Sequence, residues 1–155
     1  MNTRRQVLQR SASLASLMLA AGLLPAVAGA QTAGYPAAAF DAKDMASLMK
    51  ALGASAPVES KEISVQGPDI AENGAVVPLG AVTTLAGVKR VLLLVEKNPS
   101  LMAAMFDVSD AVEPSLATRV KMGQSSNVYA VAMMNDGRVL YGVKEVKVTL
   151  GGCGG

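Results

Sequence analysis

From residue 58 onward, apolar and polar positions alternate with a period of two, and turn residues break the pattern at roughly ten-residue spacing. VESKEISVQG (58–67) sets Ile63 and Val65 on one side of a strand. GAVVPLGAVT (74–83) reads as a strand interrupted by Pro78, which places it at an edge or a bulge. VKRVLLLVEK (88–97) is a continuous aliphatic run of strand length, the mark of a buried central strand, and Asn98-Pro99 ends it. LMAAMFDV and SLATRVKM form two more strands around SDAVEP. Arg119 and Lys121 alternate there with Val120 and Met122, as a half-exposed strand requires. SNVYAVAMM and RVLYGVKEVKVTL flank Asn135-Asp136-Gly137, a hairpin signal. In the last run Val143, Val146, Val148 and Leu150 alternate against Lys144, Glu145, Lys147 and Thr149, with a slip near Lys144-Glu145.

Before residue 58 the period changes. In FDAKDMASLMKALGAS, the residues Met45, Leu48, Met49 and Leu52 share one helical face. Asp41 is a suitable N-cap, Asp44 suits the positive end of the helix dipole, and Gly53 is a stop. The pattern predicts a helix over about 41–52, docked by its apolar face, after a loosely ordered stretch 31–40. The fold class is therefore all-β: an immunoglobulin-like antiparallel β-sandwich of about seven strands, preceded by a short N-terminal amphipathic helix.

The first 30 residues belong to a different class. Arg4, Arg5 and Arg10 precede a mildly apolar run that ends on Ala28-Gly29-Ala30, and no acidic residue occurs among them. This is the pattern of a cleaved export signal, cut before Gln31. A membrane anchor fits less well, because Ser11, Ser13, Ser16, Gly22 and Pro25 interrupt the apolar stretch. The adjacent Arg4 and Arg5 point to twin-arginine export, although an ordinary signal can also hold two arginines. The domains are thus 1–30, the twin-arginine signal; 31–150, the sandwich with its helix; and 151–155, a GGCGG arm.

Removing the leader changes the charge. Of 14 basic and 12 acidic residues, 3 basic ones lie in the leader, which leaves 11 against 12. Nothing then asks for nucleic acid or an anionic membrane. The chain has no histidine, so imidazole bases, Cys–His pairs and His-ligated metals are absent. The methionines beyond the leader read as core packing rather than as metal ligands.

One cysteine remains, Cys153, flanked by Gly151, Gly152, Gly154 and Gly155. Glycine has no Cβ and wide φ/ψ freedom, so such a segment holds no fixed shape alone. Leu150 reads as the last residue anchored in the sheet, and three extended residues span about 10 Å from there to Cys153. A lone cysteine in an exported chain must be free, bonded to another chain or covalently occupied. Reactive thiols are tuned by a base, a cation or a helix N-terminus. Here the neighbours are glycines and the Gly155 carboxylate, and the nearest cation in sequence is Lys147. With an ordinary thiol pKa of about 8.5, only a few per cent is thiolate near neutral pH. A thiol without its own activation suits a carrier that visits sites on other proteins. Its cargo must attach to sulfur and leave it again, as oxidised sulfur compounds do. Two readings stand beside this one: a thiol-dependent redox enzyme, and a structural module that dimerises through Cys153.

The stretches IAENGAVVPLGAVT, LLLVEKNPS and TRVKMGQSSNVYAVAMMNDGRVLYGVKEVKVTLGGCGG resemble the SoxY family, the sulfur-carrier subunit Y of the bacterial Sox thiosulfate-oxidising system. The resemblance covers most of the chain after the leader and is weakest over 31–57. It implies an immunoglobulin-like sandwich, a periplasmic location and SoxZ as a stable partner. It implies a non-catalytic carrier with no resident cofactor, whose Cys153 holds sulfur intermediates as covalent adducts. It further implies that the c-type haem protein SoxAX couples thiosulfate to the thiol, that the metal-dependent hydrolase SoxB releases sulfate, and that the sulfane dehydrogenase SoxCD can oxidise the remaining sulfur. A Cys153-linked dimer is expected as a side product.

Overall fold

The computed structural model describes residues 36–149, together with Arg4. The chain divides into two compact units, Met1–Gly34 and Tyr35–Gly155. In the second unit the described residues form two short helices, α1 (Ala37–Asp41) and α2 (Met45–Ala51), followed by nine strands. These are β1 (Val58–Glu59), β2 (Ile63–Gln66), β3 (Ile70–Ala71), β4 (Val77–Thr83), β5 (Val88–Val95), β6 (Met102–Asp107), β7 (Ser115–Val120), β8 (Ser126–Met134) and β9 (Val139–Val148). The larger sheet runs β1-β9-β8-β5-β6, with β3 also on β9; the smaller runs β2-β4-β7.

The aliphatic run of β5 is explained by burial on both faces. Val91, Leu93 and Val95 point between the sheets, into a core shared with Ile63, Val77 and Leu79 of the small sheet. Leu92 and Leu94 point the other way, into a second cluster with Val131 and Val139 of the same sheet and Leu48 and Met49 of α2. All five of these β5 side chains are fully buried. Each is worth about 1.5–3 kcal/mol relative to exposure. A strand with core on both sides has no reason to alternate. The methionines after residue 30 all pack in or against these two clusters.

The expected single helix over 41–52 is two helices. Asp44 caps the second: its carboxylate accepts the Ser47 N–H at 2.8 Å, and its own N–H donates to Ser47 Oγ. That capping box holds Asp44 extended (φ −140, ψ 163), so the helix cannot run through from Asp41. Asp41 is the last residue of α1, not an N-cap. The stretch expected to be loose is likewise helical from Ala37, with Ala39 fully buried. Ser100 Oγ donates to the Phe40 carbonyl, and Lys43 Nζ donates to the Pro99 carbonyl. These bonds tie the helices to the loop between β5 and β6.

Two further details differ from the pattern. Pro78 lies in the middle strand of the small sheet, but β2 pairs with β4 only from Gly80 onward. Pro78 therefore sits where the strand has β7 alone as a partner, which spares its missing N–H. The slip expected at Lys144-Glu145 is absent: β9 holds unbroken register with β8 from Val139 to Val146. Val143 is instead exposed, and Lys144 takes the inward side, where it finds partners. The turn at Asn135-Asp136-Gly137 forms the hairpin, with Gly137 at φ 88 and Asp136 accepting from the Arg138 N–H. Short β1 and β3 pair parallel to β9, which the sequence pattern did not anticipate.

Gly142 marks where the small sheet crosses β9. A Cβ there would run into the Ile63 carbonyl of β2. Gly142→Ala should lower unfolding free energy by about 1–3 kcal/mol in urea titration. Gly123→Ala, where a Cβ meets nothing within 4 Å, should stay within about 0.5 kcal/mol. Equal effects would refute the packing account of this crossing.

Candidate functional site at the end of the last strand

Cys153 and its glycines Gly151, Gly152, Gly154 and Gly155 lie outside the described residues, as does Arg5; Arg4 is helical and exposed. The described structure gives the base from which the cysteine segment departs. That base is the C-terminal end of β9, and it is held from both sides.

On the outer side, β3 runs parallel, pairing Ile70 with Lys147 and Ala71 with Val148. The Lys147 N–H donates to the Asp69 carbonyl at 2.9 Å, and the Thr149 N–H donates to the Ala71 carbonyl at 3.1 Å. Thr149 Oγ1 also reaches the Glu72 carbonyl at 3.3 Å. On the inner side, the Val148 N–H donates to Ser125 Oγ at 2.8 Å. Backbone pairing thus extends to Thr149, four residues before Cys153. The sequence pattern put the last anchored residue at Leu150, which is outside the described residues.

Lys144 fastens the segment that leads into β3. Its ammonium donates to the Gly67 carbonyl at 2.6 Å and pairs with Asp69 Oδ1 at 2.8 Å. The Lys144 hydrogen bond, and then its charge, hold the exposed Asp69 carboxyl below its ordinary value of 3.8. A lysine on the inward side of a strand needs such partners, because a charge without them is costly to bury. Neither Asp69 nor Ser125 gave a signal in the sequence. The one visible clue to this clamp was the broken alternation at Lys144.

At this end of β9 the exposed charges include Lys147 and Glu145. Among the described residues, no group of three or more Cys, Asp or Glu side chains is placed to hold a metal ion. The arrangement fixes a point of departure for the cysteine segment.

The fold and its last strand define an immunoglobulin-like sandwich that ends in a single-cysteine, glycine-flanked segment. A family model described as sulfur oxidation protein SoxY matches residues 48–153. The solved structure of the sulfur carrier protein SoxY from Chlorobium limicola f thiosulfatophilum is 32% identical, covers 68% of this chain and 94% of its own, and superposes with a TM-score of 0.61. The chain belongs to the SoxY family. A superoxide reductase (neelaredoxin) from Ignicoccus hospitalis superposes with a TM-score of 0.50 at 18% identity, covering 56% of this chain and 79% of its own. At that identity the likeness is one of fold. A comparison with curated protein sequences returns no match.

Ser125→Ala should leave the Val148 N–H without its side-chain acceptor. A bond of this kind is worth about 1 kcal/mol, so amide exchange at Val148 should quicken about fivefold while exchange in β5 stays unchanged. Uniform acceleration across both strands would mean that Ser125 supports the whole fold rather than this strand end.

Acid should loosen the same base. Asp69 has its pKa lowered by folding, so its contribution is intact above the ordinary carboxylate range and is lost as the pH falls through the folded value. Exchange at Lys147 and Thr149 should therefore rise below about pH 4. In Lys144→Met that acid response should flatten; an unchanged acid profile would remove the ion pair from the clamp.

Proposed function

We propose that this chain is a periplasmic sulfur carrier, in which Cys153 covalently holds thiosulfate-derived intermediates and presents them to the enzymes of thiosulfate oxidation. The observation that carries this reading is the extent of the family match, residues 48–153. It runs through the last strand and takes in the chain's only cysteine. The likeness to a solved SoxY, titled a sulfur carrier protein, supports the same role.

The chemistry follows from the thiol. Coupling joins Cys153 Sγ to the outer sulfur of thiosulfate and gives Cys–S–S–SO₃⁻. One proton and two electrons leave, and the electrons go to the c-type haem partner SoxAX. Water then cleaves the bond to the sulfonate sulfur, releasing hydrogen sulfate and leaving Cys–S–SH; this is the step for the hydrolase SoxB. Oxidation of the outer sulfur by SoxCD with oxygen from water, and a second hydrolysis, return the free thiol. The chain itself supplies the attachment atom, a slender backbone around it and a fixed base. We read it as a non-catalytic carrier without a resident cofactor, in keeping with its membership of the SoxY family.

The same reading makes residues 1–30 a twin-arginine export signal and SoxZ the stable partner. Glycines on each side of Cys153 let the thiol enter a narrow enzyme cleft that bulkier residues would block. Four residues beyond Thr149, it can stand about 13 Å from the sheet.

The test is Cys153→Ser in a reconstituted thiosulfate-oxidation assay with SoxZ and the three enzymes. Thiosulfate-dependent electron transfer should fall to the level seen without any carrier, while the circular dichroism spectrum stays unchanged. A serine variant that still supports oxidation would end the carrier reading. An isolated wild-type thiol with a pKa far below about 8.5 would favour the redox-enzyme alternative instead.

A further inference from the structure

The helix pair covers only part of the outer face of the larger sheet. Leu92 and Leu94 lie beneath it, whereas Val143 on β9 is 43% exposed. Between the start of α2 and strands β8 and β9 lies a cavity of about 340 Å³. Leu101, Met45 and Pro57 line it together with the rings of Tyr129 and Tyr141. The two ring centroids are 5.9 Å apart, and their planes are tilted by 58°.

Two carboxylates, Glu96 and Asp44, share that lining. Hydrogen bonds hold both in place. Glu96 Oε2 accepts from Asn127 Nδ2 at 2.9 Å, and Asp44 Oδ1 accepts from the Ser47 N–H at 2.8 Å. Neither takes part in the ion pairs among the described residues. Lys43, the cation on the lining, has its ammonium on the Pro99 carbonyl at 2.6 Å. Burial, and then the Glu96 charge, raise the Tyr129 phenol above its ordinary value of 10.0, so the ring stays neutral beside the carboxylate. Aromatic faces next to fixed negative charge attract a cation on an apolar stem.

The surface continues past the cavity. Side chains alternate along β9, so Tyr141, Val143 and Glu145 share one face. Val143 pairs with Tyr129, and Glu145 with Asn127. Lys147, next on that face, ends the acidic stretch. An exposed apolar residue and a further carboxylate beside the cavity favour a protein segment over a small cation. An extended segment sets alternate side chains about 6.6 Å apart, which is also the spacing of these three residues along β9.

The geometry points to this face as the docking site for an extended segment of a partner protein. An arginine fills the cavity, an apolar residue lies on Val143, and a second basic residue meets Glu145. Arginine suits the cavity better than lysine, because its planar guanidinium stacks on tyrosine and offers five donors to the two carboxylates. The site is separate from Cys153, so the inference goes beyond the carrier reading and does not depend on what that thiol holds.

The probe is the peptide acetyl-Arg-Ser-Val-Ser-Arg-amide, titrated into the full chain and followed by amide NMR. It should shift Glu96, Tyr129, Tyr141 and Val143. With both arginines replaced by citrulline, which keeps the shape and removes the charge, binding should weaken about tenfold. Glu96→Gln should weaken the parent peptide about fivefold. Tyr141→Leu should weaken it about threefold, whereas Tyr141→Phe keeps the aromatic face and should match the parent. Unchanged β5 amides in each variant report an intact fold.

Equal binding of the citrulline peptide would overturn the site. So would undiminished binding to a Glu96→Gln, Tyr141→Leu double variant, or shifts lying outside this face. Methylguanidinium that binds as tightly as the peptide would make the cavity a small-cation pocket and overturn the docking of a protein. Cys153→Ser should bind the peptide as the parent does, so failure of the docking and failure of the carrier reading are read in different measurements.

Discussion

The two-sided hold on β9 is the constraint on which the rest depends. The proposed role, a cysteine presented to other proteins, calls for a base that does not give way. Strand β9 is paired on one side with β8 along its length and on the other with β1 near its start and β3 at its end. Val146, fully buried, pins its inner face to the core, and Lys144 ties the approach to β3. The strand end inherits the stability of the sandwich as far as Thr149.

The layering explains how a chain with few aromatic residues reaches adequate stability. One core lies between the sheets; a second lies between the large sheet and the helix pair. The second core lets β5 be apolar on both faces and gives the methionines of α2 and β6 a packing role. Because Asp44 and Ser47 start α2 at a defined residue, Leu48 and Met49 meet Leu92 and Leu94 in register. Capping chemistry at the chain's start thus bears on the strand at the centre of the sheet.

Much of this was legible in the sequence because the signals were local. The run VKRVLLLVEK, the Asp136-Gly137 turn and the Met45–Leu48–Met49–Leu52 face each carry their own periodicity. What was not legible depended on contacts between distant segments. Nothing near Lys144 announces that Gly67 and Asp69 wait for its ammonium, so its inward side looked like a slip. Two-residue strands such as β1 and β3 are too short to carry a pattern, yet they complete the hold on β9. Asp41 and Asp44 both looked like helix starters, and only the hydrogen bond from Ser47 chose between them. Cys153 stands out in the sequence by its isolation among glycines, and it lies outside the described residues.

The chemical account comes down to division of labour, with the chain offering one sulfur atom and other proteins doing the bond making. Its most direct test is the intact mass of the protein taken from thiosulfate-grown cells, measured before and after a reductant. The account predicts added mass matching sulfur or thiosulfate on Cys153, all of it removed by the reductant. A bare thiol under every sulfur supply, or a mass matching only two chains joined through Cys153, would contradict it.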